Sequence, residues 1–592
     1  MMRPLHRSAL AAALFAGVCS SPTLTAGGPQ KAAGAMDPHT LEIEVLGGNN
    51  GAVKWASPTV TFVYNNGIQN LASLPTNVEA GSDPRTAINA AGAALSAVGA
   101  FTFVDGGFTS SQNQSSSAPN LITFANTATN VSAVGGAIAV TVYFFNGSFQ
   151  ITDADIVFNP AFLFSTLGTA ARQDIQSVAT HELGHAIGLA HSGMCSSVMY
   201  ALNAAGVLTS RTLTTDDIAA VNHNYPTISH FFSVGAVSGQ ITQSAVGVYG
   251  AHVVARDFVT GVTVTSTISD PSGNYLLTDL PAGPYYIYAE PLDGPVTDAQ
   301  IVTTYWTTGK NTTFRTQFFG GNTTPTLVRV QPTIITTGVN IAVAGPVPTL
   351  NPTLLGSPAT GTGGFSALGQ GVERTAGTST FVAIGGVGFN TLSDASYSVA
   401  GVGTTLGPAS TASGTFGGSP ESYKIFPLAL TAAAPPGPRD IVISNGGQLA
   451  VMSSAIDVRD PSPAPARVIS YGTGTGGLSV TALGGVPSLG NSTFGLLVSG
   501  APAANVFYLV FSYYPDFVDL TQGTSLWINP NSLVLPNTTF SGATTGAPLA
   551  IGIPIPNIPG LSGLKVYAQA FASNASLALG YAASNGVQLT VR

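Results

Sequence analysis

Three of the chain's eight histidines fall within the run His181-Glu182-Leu183-Gly184-His185-Ala186-Ile187-Gly188-Leu189-Ala190-His191. On a helix turning about 100° per residue, positions four apart lie about 40° from one another and one turn apart, so His181 and His185 can reach a single ion. Gly188 can take a positive φ without a Cβ penalty, letting the chain leave the helix and turn so that His191 completes a set of three nitrogens. Three neutral nitrogens with a fourth position open to water is the arrangement of a catalytic zinc rather than a closed structural one. The chemistry this implies is hydrolysis. A zinc-bound water has a lowered pKa, and Glu182, pointing away from direct ligation, can accept its proton as general base while a peptide carbonyl is attacked. The same carboxyl then passes the proton to the departing amine. One catalytic zinc ion is expected. His39, His223, His230 and His252 stand at no ligand spacing and are expected to be surface or locally hydrogen-bonded groups.

These side chains need a scaffold, and the surrounding sequence supplies helix and strand signals from about residue 37 to Pro226. Residues 174–189 read as a helix that Asp174 caps. Residues 84–99 place Ile88, Ala91, Leu95 and Val98 at helical spacing behind a capping Asp83. A third helix is expected over 213–222, starting at Thr214 or Thr215 with Asp216 and Asp217 in its first turn, where acids favour the positive end of the helix dipole. Short β-branched or aromatic runs at 60–64, 101–104, 137–145 and 155–158 read as strands.

The histidine string resembles the zinc signature of the metzincins, and Ser192 with the later Ser197-Val198-Met199-Tyr200 resembles their matrixin branch. The resemblance implies an α+β catalytic domain, a twisted mixed sheet with three helices, and makes Met199 the methionine of the turn beneath the metal. Tyr200 follows Met199 directly and is not expected to be a ligand. Leu213-Thr214-Thr215-Asp216-Asp217-Ile218 resembles the start of the matrixin C-terminal helix, which implies that Asp216 and Asp217 bond to the Met-turn; exposed helix-start acids are the alternative. Gly135-Gly136-Ala137-Ile138-Ala139 resembles the matrixin edge strand, and Asp153-Ala154-Asp155-Ile156-Val157-Phe158 the strand after it. A free edge above the zinc would take substrate as an added antiparallel strand. The sequence also departs from the family. No histidine lies between His39 and His181, so the second, structural zinc of animal matrixins is not expected, and residues 27–39 hold no cysteine for propeptide latency. Calcium is a further candidate, with Asp105, Asp153 and Asp155 as oxygen donors. Cys195, four residues after His191, reads as a small buried turn residue ahead of a thiolate switch.

Composition bounds what surrounds this chemistry. The 592 residues include 18 Lys or Arg and 26 Asp or Glu, only 7% charged with a net charge of -8, against about 25% charged in an ordinary soluble protein. So few bases exclude an electrostatic nucleic-acid binder. An apolar share of 44% excludes charge-driven disorder. Arg3, His6 and Arg7 ahead of the apolar run 9–18, with small residues through Ala26, read as a secretory signal peptide over 1–26. No other stretch is apolar enough to span a membrane. Without the leader, Cys195 is the only cysteine, so no internal disulfide is expected.

Beyond Pro226, turn signals recur at short intervals with no strong helical period, the pattern of β-sandwiches. Alternating runs at 239–242, 251–256 and 262–268, with the turns Asp270-Pro271-Ser272-Gly273-Asn274 and Asp279-Leu280-Pro281-Ala282-Gly283-Pro284, resemble transthyretin-like or carboxypeptidase-regulatory-like modules. Residues 381–389 and Pro436-Gly437-Pro438-Arg439-Asp440-Ile441-Val442-Ile443 resemble an immunoglobulin-type IPT/TIG module. The expected layout is therefore a multidomain chain: signal peptide 1–26; matrixin-like zinc peptidase domain 27–232; then all-β sandwiches at 237–346 (transthyretin-like), 347–460 (IPT/TIG-like) and, after a Pro-rich linker at 461–467, 468–592. The expected function is a secreted, extracellular, monomeric zinc metalloendopeptidase acting on proteins or peptides, with sandwich modules that bind surface glycans or proteins. The alternative is a surface adhesion or carbohydrate-binding protein whose zinc domain is vestigial or self-processing; the intact Glu182 argues against a vestigial site.

Overall fold

The first sheet of the chain has seven strands, running across it in the order β1 (Gln30–Lys31), β6 (Ala139–Phe145), β7 (Gln150–Phe158), β5 (Asn120–Thr123), β3 (Thr59–Asn65) and β4 (Thr102–Thr109), with β2 (Lys54–Trp55) paired to β7 off this path. The computed structural model describes residues 30–31 and 53–592, except 118, 302–309, 346–349, 359–364, 367–370, 387, 417–418, 502–505, 521–523, 535–539, 544–545 and 578. The leader expected at 1–26 and His39 lie outside the described residues. Strands β3, β4, β5 and β7 pair in parallel, while β6 runs antiparallel to β7 with Thr141 opposite Ile156. The sheet is thus mixed, as the resemblance implied.

The three expected helices form with slightly different ends. They are α1 (Pro84–Ser96), α3 (Ile175–Ala186) and α4 (Thr215–Asn224). Each begins where a side-chain oxygen takes an orphan backbone N–H: Asp83 accepts from Thr86 N at 3.1 Å, Asp174 from Ser177 N at 2.8 Å, and Thr214 with Asp217 forms a capping box. Two short helices join them, α2 (Ala128–Val134) behind Thr127 and α5 (Ile228–Phe231). The apolar spacing does not announce α2, because only Asn130 and Val134 of its seven residues are buried. Helices α1 and α3 pack on each other and on the sheet, α1 over β4 and α3 over β6 and β7, around a core that includes Ile88, Leu95, Phe158 and Leu183.

Three all-β sandwiches follow. In the first, strands Val234–Gln243 and Asn274–Pro281 face His252–Asp257, Thr263–Ile268 and Gly283–Glu290 across a core with Val237, Tyr275, Tyr285 and Phe314. The second packs a six-stranded sheet around Ser419–Leu430 against a four-stranded sheet containing Gly437–Asn445 and Gln448–Arg459. The third sets the six-stranded sheet of Arg467–Tyr471, Lys565–Ser573 and Gly586–Thr590 against Ser479–Leu483, Gly495–Ser499 and Leu549–Gly552. The chain is therefore an α+β domain followed by β-sandwiches.

These bodies share apolar contacts. Met194 is buried among Val254, Tyr288 and Phe318 of the first sandwich and Val451 of the second. Cys195 and Tyr200 lie in the core cluster of the second sandwich, together with Leu292, Val296 and Ile301. Phe258 stacks on Trp527 of the last sandwich with ring centroids 5.5 Å apart. Among the described residues no helix is long and apolar enough to cross a membrane.

Candidate metal centre

Helix α3 carries His181, Glu182 and His185 and stops at Ala186. The stop is a backbone device: Gly188 N donates to the His185 carbonyl at 2.9 Å and Leu189 N to the Gly184 carbonyl at 2.9 Å, with Gly188 left-handed at φ +90°. A Cβ there would also run into the Val53 carbonyl. The Trp55 indole N–H fills the Ala186 carbonyl at 2.8 Å, and the Tyr225 hydroxyl the Ile187 carbonyl at 3.0 Å. The chain therefore turns at once, and His191 returns to the helix.

Each imidazole is oriented by its far nitrogen. Nδ1 of His181 faces the Val198 carbonyl at 2.8 Å, Nδ1 of His185 the Leu189 carbonyl at 2.9 Å, and Nδ1 of His191 the Gln300 carbonyl at 2.8 Å. A carbonyl can only accept, so all three protons sit on Nδ1 and all three Nε2 atoms keep their lone pairs. One ligand atom from each ring lies within 4.8 Å of the others, and the Nε2 atoms of His181 and His185 are 3.1 Å apart. Tetrahedral zinc with Zn–N bonds near 2.0–2.1 Å wants its nitrogens about 3.3 Å apart. Lone pairs that converge this closely repel unless a cation lies between them, so these residues fit a zinc ion.

Glu182 projects from the same helix toward β6. Its carboxylate Oε2 and its own carbonyl both accept from the Thr141 hydroxyl, at 2.7 and 2.8 Å. Burial pushes the Glu182 carboxyl up to about 7, and the Thr141 hydrogen bond pulls it partly back. A carboxyl near neutrality can both take and return a proton at physiological pH.

Met199 packs its thioether against Gly184, between the two helical ligands, where any side chain on residue 184 would collide with it. Asp217 organises this turn: one carboxylate accepts from Ser197 Oγ, Val198 N at 2.9 Å, Met199 N at 3.2 Å and Thr214 N at 2.8 Å. Asp216 reaches the other way, accepting from Ser192 Oγ at 2.5 Å and from Ser266 N of the first sandwich at 2.9 Å. Both acids are buried rather than exposed. Burial and the neighbouring Asp217 charge raise the Asp216 carboxyl to about 6, against hydrogen bonds that lower it.

The remaining candidates are placed elsewhere. Among the described residues the histidine triad is the group of His, Cys, Asp or Glu whose ligand atoms converge; those of Asp105, Asp153 and Asp155 do not. Asp105 is held by Arg85 Nε at 2.8 Å and by Asn89, and Asp155 accepts from the amides of Ser115 and Leu121. Asp153 is 1% exposed with no hydrogen-bond partner on either oxygen. Cys195 is buried, its thiol pushed up chiefly by burial, the opposite of an activated thiolate. His223 and His230 both bond to Asp279, at 3.3 and 2.8 Å. His252 is fully buried on Glu290 at 2.8 Å and covers Gly193 so closely that a Cβ there would lie 2.6 Å from its ring. It is not a surface group. Sequence reasoning missed Thr141 and Gln300. The strand read at 137–145 contains the first without marking it out; the second carries no local signal.

Residues 88–226 match the model of the matrixin family. No curated protein matches the chain. Among solved structures it is similar to BcpA, the major pilin subunit of Bacillus cereus, at 12% identity over 61% of this chain and 95% of that one, with a TM-score of 0.12. It is also similar to GBS52, the minor pilin of Streptococcus agalactiae, at 14% identity over 20% of this chain and 47% of that one, with a TM-score of 0.13. The chain thus spans about half the length of that minor pilin. The converging imidazoles and the family match together support a zinc metallopeptidase domain. It is matrixin-like in its histidine triad and in the sequence that surrounds it.

Proposed function

We propose that this chain is a secreted zinc metalloendopeptidase that hydrolyses peptide bonds of extracellular proteins. The observation that carries the reading is three lone-pair-bearing Nε2 atoms converging beside a buried Glu182. His181, His185 and His191 would hold a zinc ion, which when bound would supply Lewis acidity toward a water and the scissile carbonyl. Glu182, with its pKa near 7, accepts the proton of the attacking water and delivers it to the departing amine. Thr141 holds the carboxylate, and Met199 with Asp217 supports the helix from below. Substrate backbone adds as an antiparallel strand along β6 ahead of Phe144, where no described strand pairs on the side away from β7.

Export rests on the leader at 1–26, and the layout proposed from the sequence places the peptidase at 27–232 and the modules at 237–346, 347–460 and 468–592. The test is incubation of full-length protein and its Glu182→Ala variant with unfolded protein substrates, with and without a zinc chelator. Cleavage should require both Glu182 and metal, the variant losing about 10²- to 10⁴-fold. Cleavage that survives both treatments overturns the reading, and an inactive wild type that retains glycans favours the adhesion alternative.

A further inference from the structure

The third ligand is held differently from the first two. The carbonyls that orient His181 and His185 belong to Val198 and Leu189, 17 and 4 residues away within the peptidase domain. The carbonyl that orients His191 belongs to Gln300, 109 residues away, in the 3₁₀ turn Asp298–Ile301.

That turn is locked from several sides. Gln300 Oε1 accepts from Thr297 N at 2.7 Å, and Asp298 N donates to the Leu292 carbonyl at 3.0 Å. The Lys310 ammonium, half-buried, donates to the carbonyls of Asp298 and Ile301 at 3.0 and 3.1 Å. Ile301 is buried in the same apolar cluster as Tyr200, whose hydroxyl bonds the Gln300 side chain. The position of the Gln300 carbonyl is therefore decided by the contacts within its own turn and by packing against Tyr200 and the second sandwich, not by the residues that neighbour His191 in sequence.

We propose that Gln300 is a positioning residue of the metal centre, and that the turn Asp298–Ile301 makes the region beyond the peptidase domain an obligatory part of that centre. The inference rests on the zinc reading above. An imidazole without an Nδ1 partner can rotate and take either tautomer, and both dilute the form that offers Nε2 to a metal. Metal loading and docking of this turn then share one coupling energy: what loosens the turn weakens zinc binding, and zinc tightens the turn to the same degree.

The experiment uses the full chain, as wild type and as Gln300→Ala and Lys310→Met. Gln300→Ala removes the lock on Thr297 and Tyr200. Lys310→Met loosens the turn from outside the centre and keeps the test open if the first variant does not fold. Zinc affinity is read by competition with a chromogenic chelator, and the His191 Nδ1–H by nitrogen-15 side-chain NMR of metal-free protein, with unfolding of that form followed in parallel. The expected result is a protected His191 Nδ1–H in the wild type, faster exchange in the variants, and zinc affinity about 10-fold lower, the usual cost of losing an outer partner of a ligand, with cooperative unfolding retained. Variants that expose the His191 N–H yet bind zinc as tightly as the wild type overturn the inference alone, as does a wild type whose His191 proton sits on Nε2. A wild type that takes up no zinc overturns this inference and the peptidase reading together.

Discussion

Helix α3 and the loop 191–200 bring ligands to one point, but they are secured by different means. The helix is defined by its neighbours in sequence: Asp174 starts it, Gly188 ends it, and the spacing of His181 and His185 sets their common face. The loop is defined by distant groups. Asp217 holds residues 197–199, Ser453 receives the Cys195 N–H at 3.1 Å, Gly371 donates to the Cys195 carbonyl at 2.7 Å, and the His252 ring lies over Gly193. Half of the centre is thus a local structure that a helix supplies wherever it folds. The other half is held by contacts from three bodies, so damage to an interface is expected to reach the metal centre.

Substitutions on the two sides can break this contrast. The largest effect is expected for Gly188→Ala, which forces an L side chain into a left-handed position against the Val53 carbonyl. The helix stop should fail, costing on the order of 3 kcal/mol or more, readable as loss of a cooperative transition in circular dichroism. Asp217→Ala should come next. It leaves the buried donors of Ser197, Val198, Met199 and Thr214 without their acceptor, about 3 kcal/mol by denaturant unfolding, with zinc released more readily than from the wild type.

Gly193→Ala should cost about 1–3 kcal/mol by pressing on the His252 ring. The same change in a His252→Ala background should cost less, and strict additivity in the double-mutant cycle would show that the first sandwich does not press on the loop.

Two buried carboxyls should titrate stability in opposite senses. Burial and the Asp155 charge raise Asp153 from 3.8 to about 7. The folded state therefore binds more protons than the unfolded one between those values, and stability falls as pH rises from about 4 to 7. Asp153→Asn should flatten that slope and stabilise the protein at pH 8 by on the order of 1–2 kcal/mol. Asp279 is also disfavoured by burial, but hydrogen bonds from His223 and His230 bring it to about 2. Its contribution is complete above the unfolded value of 3.8 and is lost as pH falls through 2, so Asp279→Asn should destabilise at neutral pH by a similar amount. Thermal melts from pH 8 down to about pH 2 check both signs.

The smallest effect is expected for Thr141→Val, which removes one hydrogen bond from the Glu182 carboxylate. That bond lowers the Glu182 pKa, so its loss should move the acid limb of the kcat/KM profile upward by about one pH unit or less, leaving zinc content unchanged.

Much of this centre is legible without coordinates because its rules are short-ranged. The i and i+4 histidines, the glycine that must leave the helix, and the capping carboxylates of Asp83 and Asp174 all act within a turn of their own position, and each lies where its type and spacing place it. The matrixin resemblance added Met199 and the acid pair, including the burial of Asp217 that helix-start acids alone do not imply. What the sequence could not carry is which remote groups fill the last hydrogen bonds. Thr141 meets Glu182 because α3 packs over β6, and His252 meets Gly193 because a sandwich strand docks on the loop. The same holds for Gln300 and His191, separated by 109 residues. A carbonyl is common to every residue, so nothing in residue type marks the one that will orient a ligand. Local spacing determined which imidazoles of the helix share a face and where the chain turns toward His191; packing between bodies decided how His191 is held, because a distant acceptor reaches its Nδ1 only through the tertiary structure.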